Sequence, residues 1–151
     1  MREILFRGKR LDNGEWVVGN LFIPDKFANR EPPTEILVGT NIVRISYEVD
    51  PATVGQYTGL TDKNGKKIFE GDIIKIPDNY DEFGRNAGEI YEIYFCCGGF
   101  RLNPKYSQAR GYWLEDDRTV EVIGNIHDDK ELLNVEEEII EDCESCKISW
   151  D

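Results

Sequence analysis

Twice in the first half of the chain an Asn-Gly pair separates two runs rich in β-branched and aromatic residues, and no other feature limits the possible folds as much. Ile4–Arg10 and Trp16–Ile23 flank Asn13-Gly14, while Gly55–Thr58 and Lys67–Phe69 flank Asn64-Gly65. Asn-Gly supplies the positive φ angles of a tight reversal, so each pair predicts a β-hairpin. Between them, Ile36–Val38 and Ile42–Val49 alternate or run apolar, as half-buried strands do. Asp50-Pro51 then has the form of a helix cap followed by proline at the first helical position, which predicts a short turn through Thr53.

The second half continues in the same manner. Ile73–Ile76, Glu89–Cys96, Phe100–Asn103, Gly111–Leu114 and Thr119–Ile126 form five strand-like pieces. Short strands at this spacing predict a small closed barrel, in which closure removes the edges that would otherwise pair between molecules. Only Lys130–Glu141 has a helical pattern, with Leu132, Leu133, Val135, Ile139 and Ile140 as an imperfect apolar stripe. The expected architecture is mainly β. It has a β-rich portion with hairpins over residues 1–70, a small β-barrel over 71–130, and an acidic helix and tail over 131–151.

Composition fits a folded chain of this kind. Of 151 residues, 40% are hydrophobic and 32% charged, the balance of a soluble globular protein. No apolar run has the length of a membrane span or the form of a signal peptide, which sets the expected location as the cytoplasm, without a membrane partner. The formal charge is −12 and is unevenly placed: residues 1–75 hold 11 acidic and 11 basic side chains, residues 76–151 hold 19 and 7. An acidic C-terminal half repels phosphate backbones, whose binding depends on Lys and Arg. It reads as a solvated face or as a surface offered to a basic partner.

Candidate chemistry is sparse. Asp72, after Gly71, is read either as a catalytic carboxylate at a cleft or as a turn residue bonding backbone amides. Four cysteines occur as the vicinal pair Cys96-Cys97 and as Cys143-x-x-Cys146. The second spacing suits a metal knuckle, but neighbours in a strand point to opposite faces, so Cys96 and Cys97 are poor co-ligands. Neither a metal nor any other cofactor is expected, with Cys143 and Cys146 the only alternative. His127 is the single histidine, and His127-Asp128-Asp129 reads as the polar end of a strand, with one aspartate capping the helix that follows. No nucleophile elbow, phosphate loop or dinucleotide fingerprint is present, and the chain is not expected to be an enzyme.

Aromatics crowd the second half, among them Tyr112 and Trp113, which on a small barrel are placed to stack on bases or anchor a peptide. Alternation from Glu89 to Phe95 leaves both faces of that strand largely apolar, which implies a second covering layer or another subunit. Basic residues cluster in two places, Arg2, Arg7, Lys9 and Arg10 near the start, and Lys63, Lys66 and Lys67 around the second Asn-Gly turn. The lysines are the candidate contacts for a weak, salt-sensitive nucleic-acid interaction.

The run Val49-Asp50-Pro51-Ala52-Thr53-Val54-Gly55-Gln56-Tyr57-Thr58-Gly59-Leu60, continued by Thr61-Asp62-Lys63-Asn64-Gly65-Lys66-Lys67-Ile68-Phe69-Glu70-Gly71-Asp72-Ile73-Ile74, resembles the core motif of the YopX family. Phe6-Arg7-Gly8-Lys9 with Asn13-Gly14-Glu15-Trp16-Val17-Val18-Gly19, and Val122-Ile123-Gly124-Asn125-Ile126-His127-Asp128, extend the resemblance. It implies a phage or prophage protein acting in the bacterial host cytoplasm, mostly β with an SH3-like barrel, and it brings no activity with it. The expected function is that of a non-enzymatic binding module that self-associates as a homo-oligomer and contacts an unknown protein partner. The alternative is a small-barrel protein that binds nucleic acid weakly.

Overall fold

The computed structural model describes residues 1–25, 31–40, 42–77, 88–104, 112–113 and 120–133. It divides into two compact units, one of Met1–Leu60 with Lys67–Phe69, the other of Thr61–Lys66 with Glu70–Asp151.

In the first unit β1 (Phe6–Lys9), β2 (Trp16–Phe22), β3 (Glu35–Gly39) and β4 (Arg44–Glu48) run as an antiparallel meander. A 3-10 turn, Pro51–Thr53, leads into β5 (Gly55–Thr61), which returns to pair with the free side of β1, and β6 (Lys67–Phe69) completes the sheet in the order β4-β3-β2-β1-β5-β6. The turn is built as its sequence predicts. Asp50 caps it by accepting from the Ala52 N–H at 3.0 Å, proline follows, and the Thr53 hydroxyl accepts from the Lys9 N–H at 2.9 Å while donating to the Asp50 carbonyl at 2.7 Å. One bridge, Arg10 to Val49, with Leu11 N–H donating to Glu48 and Asp50 N–H to Lys9, brings the end of β4 back to the end of β1.

The second unit repeats this path. β7 (Asp72–Lys75), β8 (Ile90–Cys96), β9 (Gly99–Pro104) and β10 (Tyr112–Trp113) form the meander, and β11 (Glu121–Asn125) returns to β7, giving the order β10-β9-β8-β7-β11. Both sheets therefore contain four strands in sequence with a fifth laid against the first, and the first sheet adds β6 as a sixth. All five strand-like pieces expected between Ile73 and Ile126 are strands. The ladders leave both sheets open, with β4 and β6 ending one and β10 and β11 the other. The closed barrel expected for residues 71–130 is corrected accordingly to an open five-stranded sheet among the described residues.

Ile36, Val49 and Ile68 are buried in the first unit, and Ile73, Ile74, Ile76, Ile93, Leu102 and Val120 in the second. Each such side chain contributes roughly 1.5–3 kcal/mol by leaving water. On β8 the expected double burial is only half realised: Tyr91 and Ile93 are covered, but Phe95 is 53% exposed at the strand end, and Glu92 and Tyr94 opposite are half-buried. The helix expected over Lys130–Glu141 begins as a 3-10 turn, Lys130–Leu133, and its remainder lies outside the described residues.

The Asn-Gly turns also differ from a two-residue reversal. Gly14 and Gly65 have φ of 72° and 78°, yet neither Asn13 nor Asn64 is left-handed. At the second turn Gly65 N–H donates to the Asp62 carbonyl at 3.0 Å and Asp62 N–H to the Lys66 carbonyl at 2.8 Å, so the reversal spans more residues and only its glycine needs positive φ.

Candidate functional site

The lysine cluster proposed for nucleic acid does not present three unengaged cations. Lys63 Nζ lies 2.6 Å from a Glu121 carboxylate oxygen, and Lys67 Nζ lies 2.5 Å from Glu3 and 4.5 Å above the Tyr57 ring. The Glu3 carboxylate raises the Lys67 pKa above its ordinary value. Lys66 is exposed. Exposed pairs of this kind contribute little stability, but each cancels a charge that a phosphate would otherwise meet.

Three of the four N-terminal basic residues are similarly engaged, and Arg2 is exposed. Arg7 is buried with its guanidinium 4.7 Å above Trp16 and 5.0 Å above Phe69, and Lys9 Nζ is 5.8 Å from Trp16. Arg10 donates from Nε to Asp12 at 2.9 Å, has Glu15 within 3.8 Å and sits 4.3 Å over Tyr47. The hydrogen bond to Asp12 raises the Arg10 pKa and lowers that of Asp12.

Tyr112 and Trp113 form β10, opposite Leu102 and Arg101 at one end of the second sheet. Cys143 and Cys146 lie outside the described residues. Among the described residues no group of three or more His, Cys, Asp or Glu is arranged to hold a metal. His127 is exposed, and Asp129 stands directly before the 3-10 turn, where its carbonyl accepts from the Leu132 N–H at 2.9 Å. Asn125 Oδ1 accepts from the His127 and Asp128 N–H groups at 3.0 Å each, and Asp129 turns back to accept from Asn125 N–H at 3.1 Å. Asp72 is buried as the first residue of β7, directly after the turn at Gly71 and opposite Asn125.

Two features were not evident from residue types. The first is Asp62, 3% exposed, whose Oδ1 accepts from Asn64 and Lys66 N–H at 2.8 and 2.9 Å and whose Oδ2 accepts from Val122 N–H at 3.1 Å. Burial acts to raise its pKa, but those three donors outweigh it and hold the carboxylate below its ordinary range. The second is the edge strand β4 and the turn before it, where Ile42, Val43 and Ile45 are 93%, 66% and 52% exposed. The strand was expected from its pattern; its exposure has no local signal.

Glu92 has the opposite character to Asp62. Burial raises its pKa, Glu70 nearby adds to the rise, and a hydrogen bond with Asn103 opposes it. A carboxyl held above its ordinary value of 4.5 favours the fold while protonated, and that contribution is lost as pH climbs through the raised value. Glu92→Gln, neutral at every pH, is therefore expected to raise the melting temperature more at about pH 7 than at about pH 4. Thermal scans at both pH values measure this, and an equal or absent gain contradicts the assignment.

These features together define a mainly-β protein of two antiparallel meanders with a charge-compensated lysine turn and an exposed apolar edge. The chain belongs to the YopX family: the family model described as YopX protein matches residues 5–134. Among solved structures, the crystal structure of protein EF1440 from Enterococcus faecalis is similar, at a TM-score of 0.52 and 23% identity over 88% of this chain and 99% of that one. At that identity the likeness concerns the fold alone. No curated protein matches the chain. No helix among the described residues is long and apolar enough to cross a membrane.

Proposed function

We propose that the protein is a non-enzymatic binding module of phage or prophage origin that works in the bacterial cytoplasm and self-associates through β4. We read the five-strand path of the second unit, with β11 returned to β7, as an open sheet of SH3-like type that presents edges and loops for protein contact. The observation that carries the proposal is the exposure of Ile45 on the edge strand β4 together with Ile42 and Val43 in the turn before it. Exposed apolar edges are templates for another strand unless charge, proline or cover blunts them.

The hydrogen bonds from Val49 N–H to Thr34 and from Thr40 N–H to Val43 set which groups of β4 face β3. By alternation, the backbone of Arg44 and Ser46 faces away from it. Glu48 already accepts from Leu11, so the usable edge ends near Tyr47. Antiparallel pairing of two copies about Ile45 sets Ile45 against the same residue of the second copy and Val43 against Tyr47, an apolar row that continues across the junction.

Protein is favoured over nucleic acid by charge. The half from residue 76 onward carries 19 acidic against 7 basic side chains, and Lys63 and Lys67 are already paired with Glu121 and Glu3. Light scattering tests the self-association. The wild-type chain of 17.4 kDa is expected at twice its mass, and Ile45→Lys, which places a charge at the centre of the proposed junction, is expected to return it to one chain. A wild-type monomer at about 100 μM, or a dimer indifferent to the lysine, overturns the proposal.

A further inference from the structure

We propose that Cys96 and Cys97 form a reversible redox modification site, oxidised to a vicinal disulfide by a low-molecular-weight disulfide such as oxidised glutathione. Cys96 ends β8 opposite Gly99, and Cys97-Gly98 make the two-residue turn between β8 and β9. Cys97 has φ of 53° and Gly98 of 82°, so both occupy the left-handed region, as the central residues of a type I′ hairpin do.

Cys97 is the only non-glycine with positive φ among the described residues, where Asn, Asp or Gly is the usual occupant. Such an outlier carries a cost and points to a role. Its consequence is direct. Neighbours in a regular strand point to opposite faces, but the left-handed backbone at Cys97 turns its side chain round, and the two Sγ atoms lie 3.1 Å apart. That is about 1 Å beyond the length of a disulfide bond. Cys97 is exposed and Cys96 half-buried, which separates an attacked from a resolving sulfur. The T-shaped contact of Phe95 with Phe100, centroids 5.3 Å apart, flanks the turn.

The chemistry balances as two exchanges. The Cys97 thiolate attacks one sulfur of oxidised glutathione, forming a mixed disulfide and releasing one glutathione thiolate. The Cys96 thiolate then attacks Cys97 Sγ, closes the protein disulfide and releases the second. Two electrons pass from the protein sulfurs to the reagent, and the two thiol protons end on the released glutathiones. Adjacent Cα atoms are about 3.8 Å apart, short of the usual span of about 4.4–6.8 Å across a disulfide. The closed ring is therefore strained and readily reduced, which suits a regulatory bond and not a structural one.

The test uses the full chain carrying Cys143→Ser and Cys146→Ser, so that Cys96 and Cys97 are its only thiols. Exposure to oxidised glutathione is expected to remove both titratable thiols and lower the mass by about 2 Da, reversibly with dithiothreitol. Adding Cys96→Ser to the same chain should instead trap one glutathione, about 305 Da, on Cys97. A persistent glutathione adduct when both cysteines are present, a chain-to-chain disulfide, or unmodified thiols overturns the proposal. A non-reducing peptide map of the unmutated chain serves as the second reading: a single lightened peptide containing 96 and 97 supports it, and a cross-link to the peptide of Cys143 and Cys146 refutes it.

Discussion

Asp62→Ala is expected to cost the second unit about 3 kcal/mol or more, among the largest losses any single polar substitution here should cause. The carboxylate serves three backbone donors, and they are not equivalent. Asn64 and Lys66 are exposed and can turn to water, whereas the Val122 N–H meets Asp62 in a buried setting on β11 and has no such recourse. The neighbouring bond from Lys63 N–H to the Val120 carbonyl, 2.9 Å, depends on the same placement of the turn. Asp62→Asn should fall between alanine and wild type, since it keeps one acceptor but loses the charge and the second oxygen.

The pH dependence gives an independent check. A pKa held below the ordinary aspartate value of 3.8 means that the carboxylate stabilises the fold above that value, and that the contribution fades as pH falls through the lowered one. The cost of Asp62→Ala, measured by denaturant titration, should thus be largest near neutrality and shrink in acid. A cost below about 1 kcal/mol, or one unchanged by acid, would sink this account.

Asp62 also marks where residue types stopped being informative. The second Asn-Gly pair correctly located a reversal, because Gly65 must be left-handed wherever the turn closes. What Asp62 does there depends on Val122, sixty residues away, and no local pattern encodes that distance. Strand positions were legible for the same reason that turns were: alternation and punctuation by Gly, Pro and Asn are local. The return of β5 to β1 and of β11 to β7 was not, and neither was the repetition of one path in both halves, which lies in strand order and not in composition.

The candidate sites divide along the same line. Lys63, Lys66 and Lys67 were found as a cluster because charge is visible in a sequence, but Glu121 and Glu3, which neutralise two of them, approach only in the fold. Cys96 and Cys97 were expected to diverge because strand alternation was applied across both, although the expected strand, like the observed one, ends at Cys96. A turn made of Cys97 and Gly98 has no Asn or Asp to announce it. In β4 the hydrophobic pattern of Ile42–Val49 identified a strand, while its place at the sheet edge was decided by the order of its neighbours.

Gly19→Ala is the second large effect, and its cause is proximity and not conformation. A Cβ built at Gly19 would stand 2.2 Å from the Leu37 carbonyl oxygen, 2.9 Å from the carbonyl carbon and 3.1 Å from Ile36 Cγ2. The first two are backbone atoms of β3, which cannot give way without loosening the pairs Asn20 to Leu37 and Leu21 to Ile36. Gly19 also sits opposite Phe6, so β2 is held from both sides and cannot retreat as a whole. Overpacking of side chains typically costs about 1–3 kcal/mol, and a clash with fixed backbone should exceed that range. Gly14→Ala provides the contrast: φ there is +72° with nothing within 4 Å of the added methyl, so only the left-handed penalty of about 1–2 kcal/mol applies. Calorimetry on both variants separates the two mechanisms, with Gly19→Ala expected to lower the melting temperature by at least twice as much as Gly14→Ala. Equal losses would mean that β3 moves aside at little cost and that the close approach does not hold β2 in register.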